Sequence, residues 1–182
     1  STKLLAEIAG ALGRKEDAAE YEDLAGHIRK AYNSFVLGDE GVHSDRQCNY
    51  VRPIAFGLLD PEREAQAAKD LNELVQKMDY HLNTGFLSTP FLCKALSEHG
   101  YTDTAYRLLL QDTCPGWLYA VKKGATTIWE SWDGVREDGT VYNSLNHYSY
   151  GAVVGWLFDS VCGIRVSGDE IRICPAPGNT LT

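Results

Sequence analysis

The chain has 182 residues and a mass of 20.1 kDa, with 44% hydrophobic and 23% charged residues, a balance typical of a folded domain rather than a disordered segment. Seventeen basic against 25 acidic residues give a net charge of −8. This charge predicts no nucleic-acid partner, because a phosphate backbone would be repelled. We also expect no membrane partner, because no apolar run approaches the roughly 18 residues that a membrane-spanning helix needs.

The beginning of the chain predicts two helices packed as a hairpin. Apolar residues recur at helical spacing from Leu4 to Leu12, and Gly13 is placed to end that helix. A second apolar stripe, from Ala18 to Phe35, follows almost at once and should pack one face against a neighbour. Because the connection is so short, the two helices are expected to run antiparallel.

The next segments predict an inner helix followed by an outer one. Residues 47–59 are apolar on nearly all sides and contain Pro53, which should kink the helix or mark its first turn. Asp60 and Pro61 are typical of a helix start, where the aspartate side chain accepts a hydrogen bond from an unpaired backbone N–H. Residues 62–81 then place apolar side chains on one face and charged ones on the other, which favours an outer helix.

Two shorter helices precede a long loop. Thr89 begins a helix that Gly100 ends, and Thr102 begins another. Between Cys114 and Asn143 the helical periodicity disappears, and a loop of about 30 residues inside a compact domain is usually functional.

The end of the chain changes from helix to strand. We expect a helix over residues 144–162, ended by Gly163, and then a β-hairpin around Gly168, where Val166, Ile171 and Ile173 alternate with polar residues. The whole pattern predicts about seven helices in hairpins, with inner and outer helices alternating and no strand before the end.

The cysteines and short motifs predict no metal and no cofactor. The five cysteines lack Cys-x-x-Cys spacing, which excludes a zinc cluster of that kind and argues against a disulfide scaffold. We interpret them mostly as small buried hydrophobes, and expect core packing to be the main role of Cys114. Nucleotide, zinc-protease and serine-hydrolase motifs are missing from the sequence.

The long loop carries the densest cluster of candidate functional residues. Glu130 lies between Trp129 and Trp132 within residues 126–134. Indole faces stack on the apolar faces of sugar rings, and a carboxylate can transfer protons. The composition alone leaves open a structural loop with buried tryptophans and a solvated glutamate.

A second polar cluster begins thirteen residues after Glu130, and its His147 follows Glu130 by seventeen. Residues 143–150 contain two asparagines, a histidine and two tyrosines at the predicted start of a helix. Such donors and acceptors suit a polyhydroxylated ligand. A purely structural histidine is the alternative, but the presence of both clusters favours a site.

Five segments in this order resemble the bacterial α-L-rhamnosidases of the six-hairpin glycosidase superfamily: residues 85–90 (GFLSTP), 105–110 (AYRLLL), 115–119 (PGWLY), 124–134 (GATTIWESWDG) and 143–148 (NSLNHY). The resemblance implies an all-α fold of antiparallel αα-hairpins, arranged as an (α/α)6 toroid of twelve helices and followed by a β-sandwich. Residues 1–163 are then expected to form part of the catalytic domain, and residues 164–182 the first strands of a C-terminal β domain.

The resemblance also implies an activity and a set of site residues. The family releases terminal α-linked L-rhamnose with inversion, using one carboxylic acid to protonate the leaving oxygen and one carboxylate to activate water. The implied substrate is a rhamnose-containing glycoside or polysaccharide. Glu130 matches the general base, His147 matches the histidine that contacts the sugar, and Trp132 or Trp129 is expected to wall the pocket.

The chain departs from the family pattern in two places. The acidic motif that holds the family's general acid has no match between Ser1 and Thr84. The chain is therefore expected to need a missing N-terminal half of the same polypeptide, to be inactive alone and to expose apolar surface. Gly116 stands where serine is expected, and should loosen the turn.

Two alternatives to this function stay open. One is a non-catalytic carbohydrate-binding or interaction fragment, and the other is a six-hairpin glycosidase that acts on another sugar.

Overall fold

The computed structural model describes residues 1–37 and 39–179. Within them it contains eight α-helices and one two-stranded antiparallel sheet. The α-helices are α1 (Thr2–Ala11), α2 (Lys15–Ala31), α3 (Gln47–Ala55), α4 (Pro61–Lys77), α5 (Thr89–Glu98), α6 (Thr102–Leu109), α7 (Trp117–Lys122) and α8 (Val153–Trp156), and the strands are β1 (Ile164–Ser167) and β2 (Glu170–Ile173). One π-helical turn extends α2 (Tyr32–Val36), another extends α8 (Leu157–Val161), and a 3-10 turn (Ser149–Ala152) precedes α8.

The helices pack as hairpins in two rows. Helix α1 contacts α2, α3 contacts α4, and α5 contacts α6. Across the hairpins α3 contacts α5 and α5 contacts α8, whereas α4 contacts α6. The predicted alternation of inner helices (α3, α5, α8) and outer helices (α4, α6) is therefore confirmed. The core lies between these rows and includes the fully buried side chains of Val51, Leu71, Val75, Leu92, Leu96 and Leu108.

Local signals explain most of the helix boundaries. Gly13, just after α1, has φ +73°, the left-handed conformation that glycine adopts without steric cost. Pro53 lies inside α3 and is buried, so it does not mark the first turn. Helix α4 begins at Asp60 and Pro61 as predicted, but the Asp60 side chain makes no cap hydrogen bond. Its carboxylate lies 3.7 Å from the guanidinium of Arg29 instead, and this neighbour from α2 competes with the cap.

Two helix predictions in the second half of the chain are wrong. Helix α7 lies inside the segment predicted as a loop; its six residues make fewer than two turns, so no apolar period can repeat. The last helical segment begins at Ser149 instead of Ser144. Residues 144–147 are not helical, because the Ser144 oxygen and the His147 N–H hydrogen bond to Glu130 and Ile128 in another segment of the loop.

The glycine before α7 is required by packing. A Cβ at Gly116 would lie 2.6 Å from the carbonyl oxygen of Gln111 and 2.7 Å from that of Thr113, distances at which backbone would have to move. The expectation that Gly116 merely loosens the turn is therefore wrong: this turn is tight, and a serine would clash.

The cysteine prediction holds for one residue of five. Cys93 is buried, and its burial raises the pKa of its thiol to about 12. Cys48 is partly buried, and the exposed cysteines are Cys114, Cys162 and Cys174. Core packing is therefore not the role of Cys114, which precedes a cis proline at the end of the α6–α7 connection.

The C-terminal hairpin forms as predicted. Strands β1 and β2 pair with Val166 opposite Ile171, around a turn that contains Gly168. The chain then returns to the helices, where the hydroxyl of Tyr106 donates to the carbonyl oxygen of Ala176. The boundary between a catalytic domain over residues 1–163 and a β domain over 164–182 stays a prediction, and residues 180–182 lie outside the described part of the chain.

Apolar side chains of α1 and α2 face solvent. The stripe of α1 is exposed, with Leu4 at 61% and Leu12 at 71% exposure, and only Ala6 and Ala9 of this helix are buried. Helix α2 buries none of its side chains. The expected exposure of apolar surface is thus present, whereas the apolar stripe of α2, predicted to pack against a neighbour, contains no buried residue.

No helix within residues 1–37 and 39–179 combines the length and the apolar character that crossing a bilayer requires.

Candidate active site

The structure brings the two predicted clusters together as neighbouring, antiparallel segments of the long loop. Three backbone hydrogen bonds join them: His147 N–H to the Ile128 oxygen (2.8 Å), Glu130 N–H to the Ser144 oxygen (2.9 Å) and Tyr142 N–H to the Gly134 oxygen (2.8 Å). A bridge between Val135 and Val141 closes the far end. Glu130 and His147 therefore lie on adjacent segments of the loop, although His147 follows Glu130 by seventeen residues in the chain.

The carboxylate of Glu130 is held through one oxygen. Its Oε2 accepts a hydrogen bond of 3.0 Å from the backbone N–H of Ser144, and no donor from the described part of the chain reaches Oε1. The side chain is half-buried and close to Tyr150. Burial first, and then the charge of Glu130, raise the pKa of the Tyr150 phenol. A carboxylate oxygen that accepts no hydrogen bond from the protein can accept a proton from a bound molecule.

Trp132 is fixed on several sides by aromatic and polar contacts. Its ring stacks on Tyr150, with centroids 3.8 Å apart and planes 14° apart, and meets the edge of Trp117 at 5.4 Å. Its indole N–H donates to the carbonyl oxygen of Thr84 at 3.1 Å. Because the indole is half-buried, it forms a rigid wall that still presents some surface to solvent.

His147 continues the same aromatic cluster. Its ring stacks on Phe86 at 4.7 Å and on Tyr148 at 5.5 Å, and Phe86 lies 5.1 Å from Tyr150. The N–H of Ser149 points at Nδ1 of His147 at 3.4 Å. Because Nδ1 accepts this bond, Nε2 is the ring nitrogen left to donate.

Trp129 is almost fully buried inside the loop structure. It is only 6% exposed, and Gly134 packs directly against its ring. Together with Trp117 and Trp132 it lines a cleft of about 300 Å³, and neither Glu130 nor His147 is among the lining residues. The structure therefore places Trp129 and Trp132 along one cleft and leaves Glu130 and His147 outside it. Tyr150 and Phe86 connect Trp132 to His147.

Three aromatic residues of this region escaped the sequence prediction of the site: Phe86, Trp117 and Tyr150. Phe86 and Trp117 belong to segments that carry the family resemblance, and Tyr150 belongs to the second polar cluster. Their presence in those segments is the sequence signal that could have identified them. They join the cluster from the N-terminal ends of α5, α7 and α8, and these long-range contacts have no local pattern. Within the described ranges, no group of three or more acidic, histidine or cysteine side chains could hold a metal ion.

A half-buried carboxylate beside aromatic rings is an arrangement that suits a glycoside hydrolase. The chain belongs to the family described as the bacterial alpha-L-rhamnosidase 6 hairpin glycosidase domain, which matches residues 1–161.

Curated relatives and solved structures agree with this membership. The chain is 42% identical to an alpha-L-rhamnosidase of Streptomyces avermitilis and 39% identical to one of Formosa agariphila, in each case over its full length. It covers 18% and 21% of these two proteins, so it spans about a fifth of the length of the curated relatives it matches.

Two crystal structures have the same fold over 98% of the chain. One is the Streptomyces avermitilis alpha-L-rhamnosidase complexed with L-rhamnose (TM-score 0.89, 41% identity), and the other is the native enzyme from Aspergillus terreus (TM-score 0.91, 32% identity). The chain covers 18% and 22% of these structures. The likeness confirms the predicted fold class, in which antiparallel αα-hairpins form part of a six-hairpin toroid.

Proposed function

We propose that this chain is the C-terminal catalytic part of a glycoside hydrolase that releases terminal α-linked L-rhamnose with inversion of configuration. Membership in the rhamnosidase family supports the substrate class, as does the solved relative complexed with L-rhamnose. The substrate is a rhamnose-containing glycoside or polysaccharide. The part of the catalytic domain that this chain does not cover supplies the general acid.

The single observation that carries the proposal is the environment of Glu130, which acts as the general base. Its Oε2 is held by the Ser144 N–H at 3.0 Å, and Oε1 takes a proton from water. The water oxygen then bonds to the anomeric carbon, while the glycosidic oxygen leaves with a proton from the general acid. Inversion requires the two carboxyl groups to lie about 6.5–9.5 Å apart, with the water between base and sugar.

The sugar is bound by His147 and walled by tryptophan. His147 donates from Nε2 to a hydroxyl of the sugar, because Nδ1 faces the Ser149 N–H. Trp132 supplies the apolar wall, since its ring is half-exposed beside Tyr150. Trp129 is almost fully buried and packs against Gly134 inside the loop, so it is the weaker candidate for the wall.

The test is Glu130→Gln in the polypeptide that includes the upstream helices. We expect kcat for an aryl α-L-rhamnoside to fall by about 10²–10⁴-fold, the usual contribution of a general base, with unchanged circular dichroism. Glu73→Gln, an exposed carboxylate on α4, is the matched control and should leave turnover unchanged.

Three results would contradict the proposal. Near-normal turnover of Glu130→Gln would remove Glu130 as the base. Release of α-L-rhamnose as the first product, seen by NMR, would exclude inversion. Faster cleavage of another sugar in a panel of aryl glycosides would change the substrate.

A further inference from the structure

Asn143 has an unusual backbone conformation at the centre of the site. Its φ is +61°, and only Asp79 and Tyr80 share a positive φ among the non-glycine residues of the described chain. Asparagine tolerates this left-handed conformation better than most residues do. Asn143 also directly precedes Ser144, whose N–H binds the carboxylate of Glu130.

The pairing of the two loop segments explains why the chain turns at this position. Tyr142 hydrogen bonds to Gly134, and Ser144 hydrogen bonds to Glu130. The two residue steps from Tyr142 to Ser144 therefore lie opposite the four steps from Glu130 to Gly134. The extra residues form a turn, closed by a bond of 3.1 Å from Gly134 N–H to the Ser131 oxygen. Asn143, the left-handed residue between Tyr142 and Ser144, turns this segment so that the N–H of Ser144 meets the carboxylate of Glu130.

The side chain of Asn143 also joins the two loop segments. Its Nδ2 donates to the hydroxyl oxygen of Ser131 at 2.8 Å, and Ser131 is the neighbour of Glu130 in the chain. Glu130 is thus connected to the segment of Asn143 three times: through its own N–H, through its Oε2 and through Ser131.

We propose that Asn143 is a positioning residue that orients the carboxylate of Glu130 through the Ser144 N–H. The inference rests on the proposed function of Glu130 as the general base. Asn143 is not a catalytic residue, because it acts on the carboxylate and not on the sugar. Its loss displaces the base without removing His147 or Trp132, so kcat falls and KM does not change.

The test compares Asn143→Ala and Asn143→Gly in the polypeptide that includes the upstream helices. Alanine disfavours the left-handed backbone and removes the amide, whereas glycine keeps the backbone and removes only the amide. We expect Asn143→Ala to lower kcat for an aryl α-L-rhamnoside by about 10- to 100-fold, the effect of a displacement of about 1 Å. Asn143→Gly should recover most of this loss, with a kcat about threefold below that of the parent.

Asp79→Ala is the matched control, because Asp79 has φ +51° and lies between α4 and α5 without taking part in the site. It should lower the melting temperature and leave kcat unchanged. A wild-type kcat in both Asn143 variants, or a KM that rises in proportion to the loss of kcat, would overturn the inference. If Asn143→Ala does not fold, a wild-type kcat of Asn143→Gly together with a wild-type kcat of Ser131→Ala overturns it.

The two proposals fail separately. If Glu130→Gln keeps its turnover, the function proposed for Glu130 is wrong. If Glu130→Gln is inactive and the Asn143 variants are fully active, only the positioning role is wrong.

Discussion

At the scale of single residues, Gly134 limits how the site loop can pack. A Cβ at this position would lie 2.9 Å from Cε3 of Trp129 and 3.2 Å from the side chain of Leu145. The aromatic ring is itself enclosed, because Trp129 is only 6% exposed. The ring cannot move aside cheaply, so the small residue here keeps the two loop segments close together.

We therefore expect Gly134→Ala to lower the free energy of unfolding by about 1–3 kcal/mol, the usual cost of overpacking a filled interior. Urea denaturation followed by tryptophan fluorescence measures the change. Gly26→Ala is the control, since Gly26 lies inside α2 with nothing within 4 Å of its added Cβ. That variant should be more stable by up to about 1 kcal/mol; equal stability of Gly134→Ala and the parent would contradict the packing argument.

Sequence reasoning singled out part of the candidate site because some signals are local. Glu130 lies between two tryptophans, and His147 lies among polar residues within one segment, so both could be singled out in the chain. Phe86 and Trp117 could not, because their place depends on contacts with residues more than 30 positions away, as when Phe86 stacks on His147. The deeper burial of Trp129 compared with Trp132 likewise depends on how the bent segment packs against the rest of the chain.

At the scale of secondary-structure elements, a carboxylate of α6 holds the segment after the β-hairpin, in addition to the hydroxyl of Tyr106. Asp103, in the first turn of α6, accepts hydrogen bonds of 2.8 Å from both the backbone N–H and the side-chain amide of Asn179. These bonds, the largest effect, hold the pKa of Asp103 below its ordinary value of 3.8. The attachment therefore stabilises the fold only while Asp103 is charged.

Because the pKa is lowered in the folded state, this contribution is complete above pH 3.8 and disappears as the pH falls through the lower value. We expect the backbone amide NMR signal of Asn179 to shift with a midpoint below pH 3.8. Asp103→Asn should remove that titration. A midpoint above 3.8, or an unchanged titration in the variant, would contradict the role of this carboxylate.

Helices were predictable where the apolar pattern is long enough to repeat. Helices α2 and α4 each have 17 residues, and both were recognised. Helix α7 was missed because six residues give no period, and the start of the last helical segment was misplaced because Asn143 to His147 hydrogen bond to residues 128–131 instead. In that segment tertiary pairing overrides the local preference.

At the scale of the whole molecule, the first hairpin is the part least supported by the core. Helix α2 buries no side chain, and α1 buries two alanines. One link to the other helices is Asn33, whose side-chain amide donates to the Leu58 oxygen at 2.7 Å and whose backbone carbonyl oxygen accepts from Arg63 at 2.9 Å. Helices α3 to α6, by contrast, share the fully buried core.

We expect amides of α1 and α2 to exchange with deuterium faster than those of α3 and α5 in the 182-residue chain. Few buried apolar contacts mean that local opening of the hairpin costs less free energy than opening of the core. Mass spectrometry of peptic peptides measures both regions at once. Asn33→Ala should accelerate exchange in α1 and α2 while leaving α5 unchanged, and equal protection of all four helices would contradict this expectation.

The sequence by itself determined the αα-hairpins, the alternation of inner and outer helices, the C-terminal β-hairpin and the family. These depend on periodic patterns and short motifs within one segment. Only the tertiary structure decided how residues 128–134 pair with 142–147, which aromatic rings surround His147 and why Asn143 turns the chain beside Glu130. The physical reason is that these features come from hydrogen bonds and packing between segments, and no local pattern of residues specifies such contacts.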